Sequence, residues 1–134
     1  MNVLLDTHIA LWAITDHPNL PKIARDIISD PENTVFFNSI SVWEILLKND
    51  SPKNTLSLNP EEFISYCEEA GYIPLTLKPK HVVSASKLNT SAIDKKHADP
   101  FDRMLLSQAK SENYFFITHD KRIPLYNEKC VISV

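Results

Sequence analysis

The chain has 134 residues, 43% apolar and 23% charged, a composition that excludes a disordered or fibrous protein and suits one folded domain over residues 1–134. Its formal net charge is −3, which excludes a grip on nucleic acid by overall field alone; any polyanion must meet a bound metal or a local basic patch. Lys95, Lys96, Arg103, Lys121 and Arg122 are candidates for that patch, and equally for solvated surface. Cys67 and Cys130 stand far apart without CxxC or Cys/His spacing, so a reduced, cytoplasmic protein without zinc is expected. No apolar run approaches the ~20 residues of a membrane span, and Met1 to Asp6 lack the basic start of a signal peptide. No membrane partner is expected.

In chain order, the compact apolar run Val3 to Leu5 reads as a short buried strand. Helical patterns follow at Ile9 to Ile14 and at Pro21 to Ile28, the second closed by Pro31. Thr34 to Phe37, β-branched and aromatic, is a strand; Ser39 to Lys48 is helical and Asn49 to Pro60 a polar loop. Glu61 to Ala70 is a helix ending at Gly71, the only glycine of the chain. Ile73 to Leu77 reads as a strand, Pro79 to Leu88 as a helix, Asn89 to Ala98 as a loop and Pro100 to Glu112 as a helix. Tyr114 to Thr118 and Val131 to Val134 complete the strands. Such alternation implies an α/β fold, helices covering both faces of a mainly parallel sheet of four to five strands.

Four acids sit at the mouths of apolar segments: Asp6 after Val3-Leu4-Leu5, Glu44 within Ile40 to Leu47, Asp102 ahead of Met104-Leu105-Leu106, and Asp120 after Phe115 to His119. Carboxylates enter a core only when their charge is compensated. Each acid also has a local explanation. Ser41 to Glu44 fits a capping box, and Glu44 also fits an exposed i, i+4 pair with Lys48. Asp99 and Pro100 fit an N-cap and N1 with Asp102 in the first turn, and Asp120 can cap the turn at Lys121-Arg122. Helical spacing weighs against the local explanations by placing Ile40, Trp43, Glu44 and Leu47 on one stripe, and Asp102 with Leu105, Leu106 and Ala109. In parallel sheets the functional crevice lies beyond the carboxyl ends of the strands, where Asp6 and Asp120 both fall.

The segments Leu4-Leu5-Asp6-Thr7-His8, Ser39 to Ile45, His97-Ala98-Asp99-Pro100-Phe101-Asp102-Arg103-Met104-Leu105 and Ile117-Thr118-His119-Asp120 resemble, in order and spacing, those of PIN-domain proteins. The likeness runs from Val3 to about Val134 and is greatest to the VapC-type branch, ribonuclease toxins of type II toxin–antitoxin pairs. It implies a PIN-like three-layer α/β/α fold and an endoribonuclease in which Asp6, Glu44, Asp102 and Asp120 hold Mg²⁺, with Mn²⁺ as substitute. Asp99 matches an additional acid of a subgroup, and Thr118 a hydroxyl residue that helps hold the last acid and water. It further implies an RNA substrate, a homodimer, and a cognate antitoxin, a segment of which enters a groove beside the acids. The chemistry suits the residues: a divalent ion lowers the pKa of water and polarises a phosphoryl oxygen, and carboxylates are its natural ligands.

His8, His97 and His119 stand near these acids, and local hydrogen bonding is the favoured role for each. Arg103 reads as one half of a structural ion pair, and Trp12 and Trp43 as core or interface residues, not as base-stacking platforms. Two other functions compete with the nuclease. A catalytically silent nucleic-acid or protein-binding module would keep the fold without chemistry. An aspartyl phosphotransferase would use Asp6 as nucleophile, but the second Asp two residues on is lacking.

Overall fold

The computed structural model describes residues 1–96 and 98–134; His97, with its expected local hydrogen bond, lies outside them. Five strands, β1 (Asn2–Leu5), β2 (Thr34–Asn38), β3 (Ile73–Leu75), β4 (Phe115–Thr118) and β5 (Val131–Ser133), form one parallel sheet in the order β3-β2-β1-β4-β5. The helices are α1 (Thr7–Ile14), α2 (Lys22–Ser29), α3 (Ser39–Asp50), α4 (Pro60–Glu69), α5 (Pro79–Ser84) and α6 (Pro100–Glu112). The expected α/β architecture is therefore present.

Side-chain alternation divides the core. Val3, Leu5, Val35, Phe37 and Ile117 pack on one face of the sheet with Ile9, Ala24, Ile45 and Phe63 from α1, α2, α3 and α4. Leu4, Phe36 and Phe116 point to the other face, against Leu105, Leu106 and Ala109 of α6. These strands read as continuous apolar runs because both faces are covered.

Local chemistry sets the element ends. Asn59 and Glu62 close a reciprocal capping box at the start of α4, and Gly71 takes φ +85 just past its end. The expected helix from Pro79 to Leu88 is α5 followed by a 3₁₀ turn at Ala85–Lys87. A second 3₁₀ turn, Ile123–Tyr126, has no counterpart in the sequence reading. One turn holds too few residues to show a period, and only the buried pair Ile123 and Tyr126, spaced i, i+3, hints at it. The fully buried His81 ties α5 to α6: its Nδ1 accepts from the Lys78 amide at 2.9 Å, which leaves Nε2–H to donate to Glu112 Oε1 at 2.6 Å.

The chain steps from β1 outward to β2 and β3, then returns to lay β4 on the opposite side of β1. The order therefore reverses between β1 and β4, and a crevice opens there beyond the carboxyl ends of the strands. Asp6 follows β1 directly, and Asp120 lies two residues beyond β4. Among the described residues no helix is long and apolar enough to cross a membrane.

Candidate active site

Asp6 leaves β1 and at once becomes the N-cap of α1, its Oδ1 accepting from the Thr7 amide at 2.7 Å. Its Oδ2 accepts from the Thr118 hydroxyl at 2.6 Å. That hydroxyl accepts in turn from the Asp120 amide at 3.0 Å, so one oxygen joins the ends of β1 and β4. Burial raises the Asp6 carboxyl above its ordinary range despite these donors.

Glu44 arrives from α3 and is only 8% exposed. The N-cap of that helix is Asn38, whose side chain accepts from the Ile40 amide at 2.6 Å, so the capping box expected at Ser41 does not form. Glu44 is a mid-helix acid instead. Its Oε1 accepts from the Thr7 hydroxyl at 2.7 Å, and that hydroxyl also lies 2.8 Å from Ser41 Oγ. The stripe drawn from the sequence needs correcting as well: α3 buries Ser41, Glu44 and Ile45, while Trp43 is 50% and Leu47 41% exposed. Glu44 thus sits on the inward face, but with polar neighbours. Burial raises its carboxyl, and Lys48 opposes the shift by charge.

Asp99 is the N-cap of α6, accepting from the amides of Phe101 at 2.8 Å and Asp102 at 3.4 Å. Asp102 follows in the first turn, half-buried. Among the described residues nothing donates a hydrogen bond to its carboxylate. Burial, together with the charges of Asp6, Asp99, Asp120 and Glu44, pushes it up to about 8. Asp120 is held differently. Burial acts against its charge, but Arg122 donates from its backbone amide at 2.7 Å and from Nη2 at 3.2 Å, and these bonds bring the carboxyl below its ordinary range.

Asp102 thus feels the charge of all four other acids. Among the described residues, no three acid, imidazole or thiol groups converge tightly enough to enclose an ion by themselves. Mg²⁺ does not require that, since it keeps several waters and is commonly bound through one or two carboxylates. The donor set fits such an ion: hard oxygens, crowded negative charge and one carboxyl without a donor.

The model of the PIN domain family matches residues 3–129. The chain belongs to the PIN-domain family. No curated protein matched it in sequence. Among solved structures it is similar to VapBC-1 from nontypeable Haemophilus influenzae, with TM-score 0.67 and 20% identity over 99% of this chain and 98% of that one. VapBC2 from Rickettsia felis, bound to a DNA fragment from its promoter, gives TM-score 0.65 and 20% identity over 100% and 98% of the two chains. FitAcB from Neisseria gonorrhoeae gives 0.59 and 18% over 98% and 96%.

Three residues of this PIN domain carry parts that the sequence reading did not give them. Thr7 holds Glu44, Ser41 bonds the Thr7 hydroxyl in turn, and Arg122 clasps Asp120. Their signals were slight: a hydroxyl beside Asp6, another three residues before Glu44, and an arginine two residues after Asp120. Other residues read for other roles also take definite places. His119 Nδ1 bonds the Val134 carbonyl at 2.6 Å, the local partner expected of it. Among the described residues the hydrogen bond of Arg103 goes to the Ala85 carbonyl, at 3.0 Å, and not to a carboxylate.

Thr118→Val tests the strand-end bridge. Valine keeps the shape but leaves a buried Asp6 oxygen and the Asp120 amide without their partner. The expected loss is about 2–3 kcal/mol by urea unfolding, with the Asp6 carboxyl pushed further up.

Proposed function

We propose that this PIN domain is a metal-dependent endoribonuclease, a VapC-type toxin restrained by an antitoxin. The observation that carries the reading is Asp102. It is half-buried, has no donor among the described residues, and feels the charges of Asp6, Asp99, Asp120 and Glu44 near the switch point of the sheet. A fold has no use for such repulsion, whereas a cation site does. Asp6, Glu44, Asp102 and Asp120 would hold Mg²⁺ or Mn²⁺, which when bound supplies an acidified water and charge neutralisation at phosphate.

The chain's own groups do the positioning. Thr118 and Thr7 fix the carboxylates of Asp6 and Glu44 at 2.6 and 2.7 Å, so neither must reorganise when charge develops. Arg122 keeps Asp120 ionised, and Asp99 orders the first turn from which Asp102 projects. The phosphotransferase is disfavoured by His8, which stands where that reading needs a second Asp.

Partners follow from resemblance and surface together. An apolar groove of about 580 Å³ lies between α3 and the start of α4, lined by Val42, Trp43, Leu46 and Pro60. Such a face suits an antitoxin segment. Val82 and Val83 of α5, 49% and 64% exposed, add apolar surface that a homodimer would cover. The purified protein is expected to cleave single-stranded RNA with Mg²⁺ and not with EDTA, to scatter light as a dimer, and to lose activity when the product of the adjacent gene is titrated in. Intact RNA at every metal concentration would leave the silent binding module as the better reading.

A further inference from the structure

A groove of about 620 Å³ runs from His8 along α1 to the loop 51–58, beside the acids but not made of them. Its charge is unlike that of the chain. The protein has 17 acidic residues against 14 lysines and arginines, yet this groove is lined by Lys48, Lys53, His8 and His17 and contains no carboxylate.

At its centre stands Trp12, half-buried against the core and collared by three imidazoles. His17 stacks on it at 6.1 Å with an interplanar angle of 22°, His8 is tilted at 6.0 Å, and His119 meets it edge-on at 5.6 Å. His8 lies two residues past Asp6 and His119 directly precedes Asp120. The aromatic cluster therefore begins where the acidic site ends.

We infer that this groove is a nucleotide subsite, in which a base of single-stranded RNA stacks on the Trp12–His17 platform while Lys48 and Lys53 meet the flanking phosphates. The inference rests on the ribonuclease reading and adds where the strand lies. Base-on-aromatic stacking with lysine-bound backbone is how proteins hold single strands without strong sequence preference. The volume falls within the ~300–1,000 Å³ of small-ligand pockets, room for one nucleotide. A negative net charge does not argue against RNA at this groove, because Lys48 and Lys53 line it and no carboxylate does. An apolar protein segment finds a better match at Trp43 and Leu46, on a surface without these cations. The expectation that Trp12 is only a core or interface residue is replaced by a double role: one part of the ring packs on the core and another lines the groove.

The chain has two tryptophans, so Trp43→Phe makes Trp12 the sole reporter, and Asp102→Asn prevents cleavage during the titration. A short mixed-sequence single-stranded RNA is expected to quench Trp12 fluorescence, whereas an abasic strand of equal length binds more weakly and leaves it bright. Trp12→Leu is expected to raise Kd about tenfold, ~1.4 kcal/mol, and Trp12→Phe to restore most of the loss. Lys53→Ala, on an exposed loop where folding is not at risk, should lower the slope of log Kd against log salt by about 0.7. RNA binding without quenching, or with the parent affinity in both Trp12→Leu and Lys53→Ala, overturns the subsite. If the wild type still cleaves RNA in that case, the ribonuclease reading stands and the groove belongs to a protein segment. RNA neither bound nor cleaved by the wild type with Mg²⁺ overturns both.

Discussion

Asp102→Asn is expected to lower RNA cleavage at least ~10²-fold while raising the melting temperature of the EDTA-treated protein at pH 8. The two effects share one cause. In the folded chain the Asp102 carboxyl is pushed up to about 8 by burial and by four neighbouring acids, so its ionised form is disfavoured. Asparagine has the same shape and no charge, and among the described residues no donor to the carboxylate is lost with it. The repulsion is relieved and the fold gains. Activity moves the other way: holding a metal contributes several kcal/mol of transition-state stabilisation, and each 1.36 kcal/mol is tenfold in rate. Asp99→Ala is expected to behave oppositely. Asp99 caps α6 through the Phe101 and Asp102 amides, so its loss lowers stability by about 1 kcal/mol and weakens cleavage without abolishing it. Thermal melts in EDTA and single-turnover cleavage separate the two residues. An active Asp102→Asn protein beside an inert, normally stable Asp99→Ala would mean that the pair has been assigned backwards.

How far the sequence could be read depends on how local each signal is. β1, β2 and β4 were legible because sheet faces buried on both sides leave unbroken apolar runs. The start of α6 was legible because Asp99, Pro100 and Asp102 act within one turn. Glu44 was rightly turned inward, but its partner was not legible because it is 37 residues away. Both local proposals, the capping box and the Lys48 pair, searched within four residues, and the hydroxyl that holds it belongs to Thr7. Trp43 and Leu47 were placed inward by a stripe one position out of phase with the buried Ser41, Glu44 and Ile45. Hydropathy alone favours a tryptophan over a serine for the core. Here Ser41 and Glu44 meet the Thr7 hydroxyl beside the acids, while Ile45 packs in the core. The cap that Asp120 makes on its own turn was legible, and the Arg122 amide donates to it; the clasp by the Arg122 guanidinium was not, because that side chain read equally as basic patch or solvated surface. What sequence misses at this site is the set of groups that hold the acids, because those groups come from other segments.

Mg²⁺ at about 100 times its Kd is expected to stabilise the wild type by ~2.7 kcal/mol through linkage, roughly 10 °C in Tm for a chain of this length, and by more at pH 8 than at pH 6. The sign follows from the carboxyls. Asp6, Glu44 and Asp102 are all raised in the folded chain, so at these three groups the native state binds more protons than the unfolded one between the unfolded carboxylate range near ~4 and about 8, where Asp102 titrates. His8, lowered by burial, acts the other way below its ordinary value of 6.5. Stability without metal is therefore expected to fall as pH rises from there to about 8. Asp120 and Glu112 are lowered; their contribution is present above the unfolded range and is lost only on acidification, so it cannot offset the fall. A divalent ion competes with the proton for the same oxygens and binds best once Asp102 is ionised. The increment from Mg²⁺ should grow over the same window. Asp6→Asn or Asp120→Asn should abolish that increment and still fold, because an asparagine oxygen can keep one acceptor role in each place. The decisive comparison is the Mg²⁺-induced shift in Tm at two pH values for the three proteins. Equal shifts in the wild type and both variants, or a wild-type shift that shrinks as pH rises, would show that these acids do not share one cation.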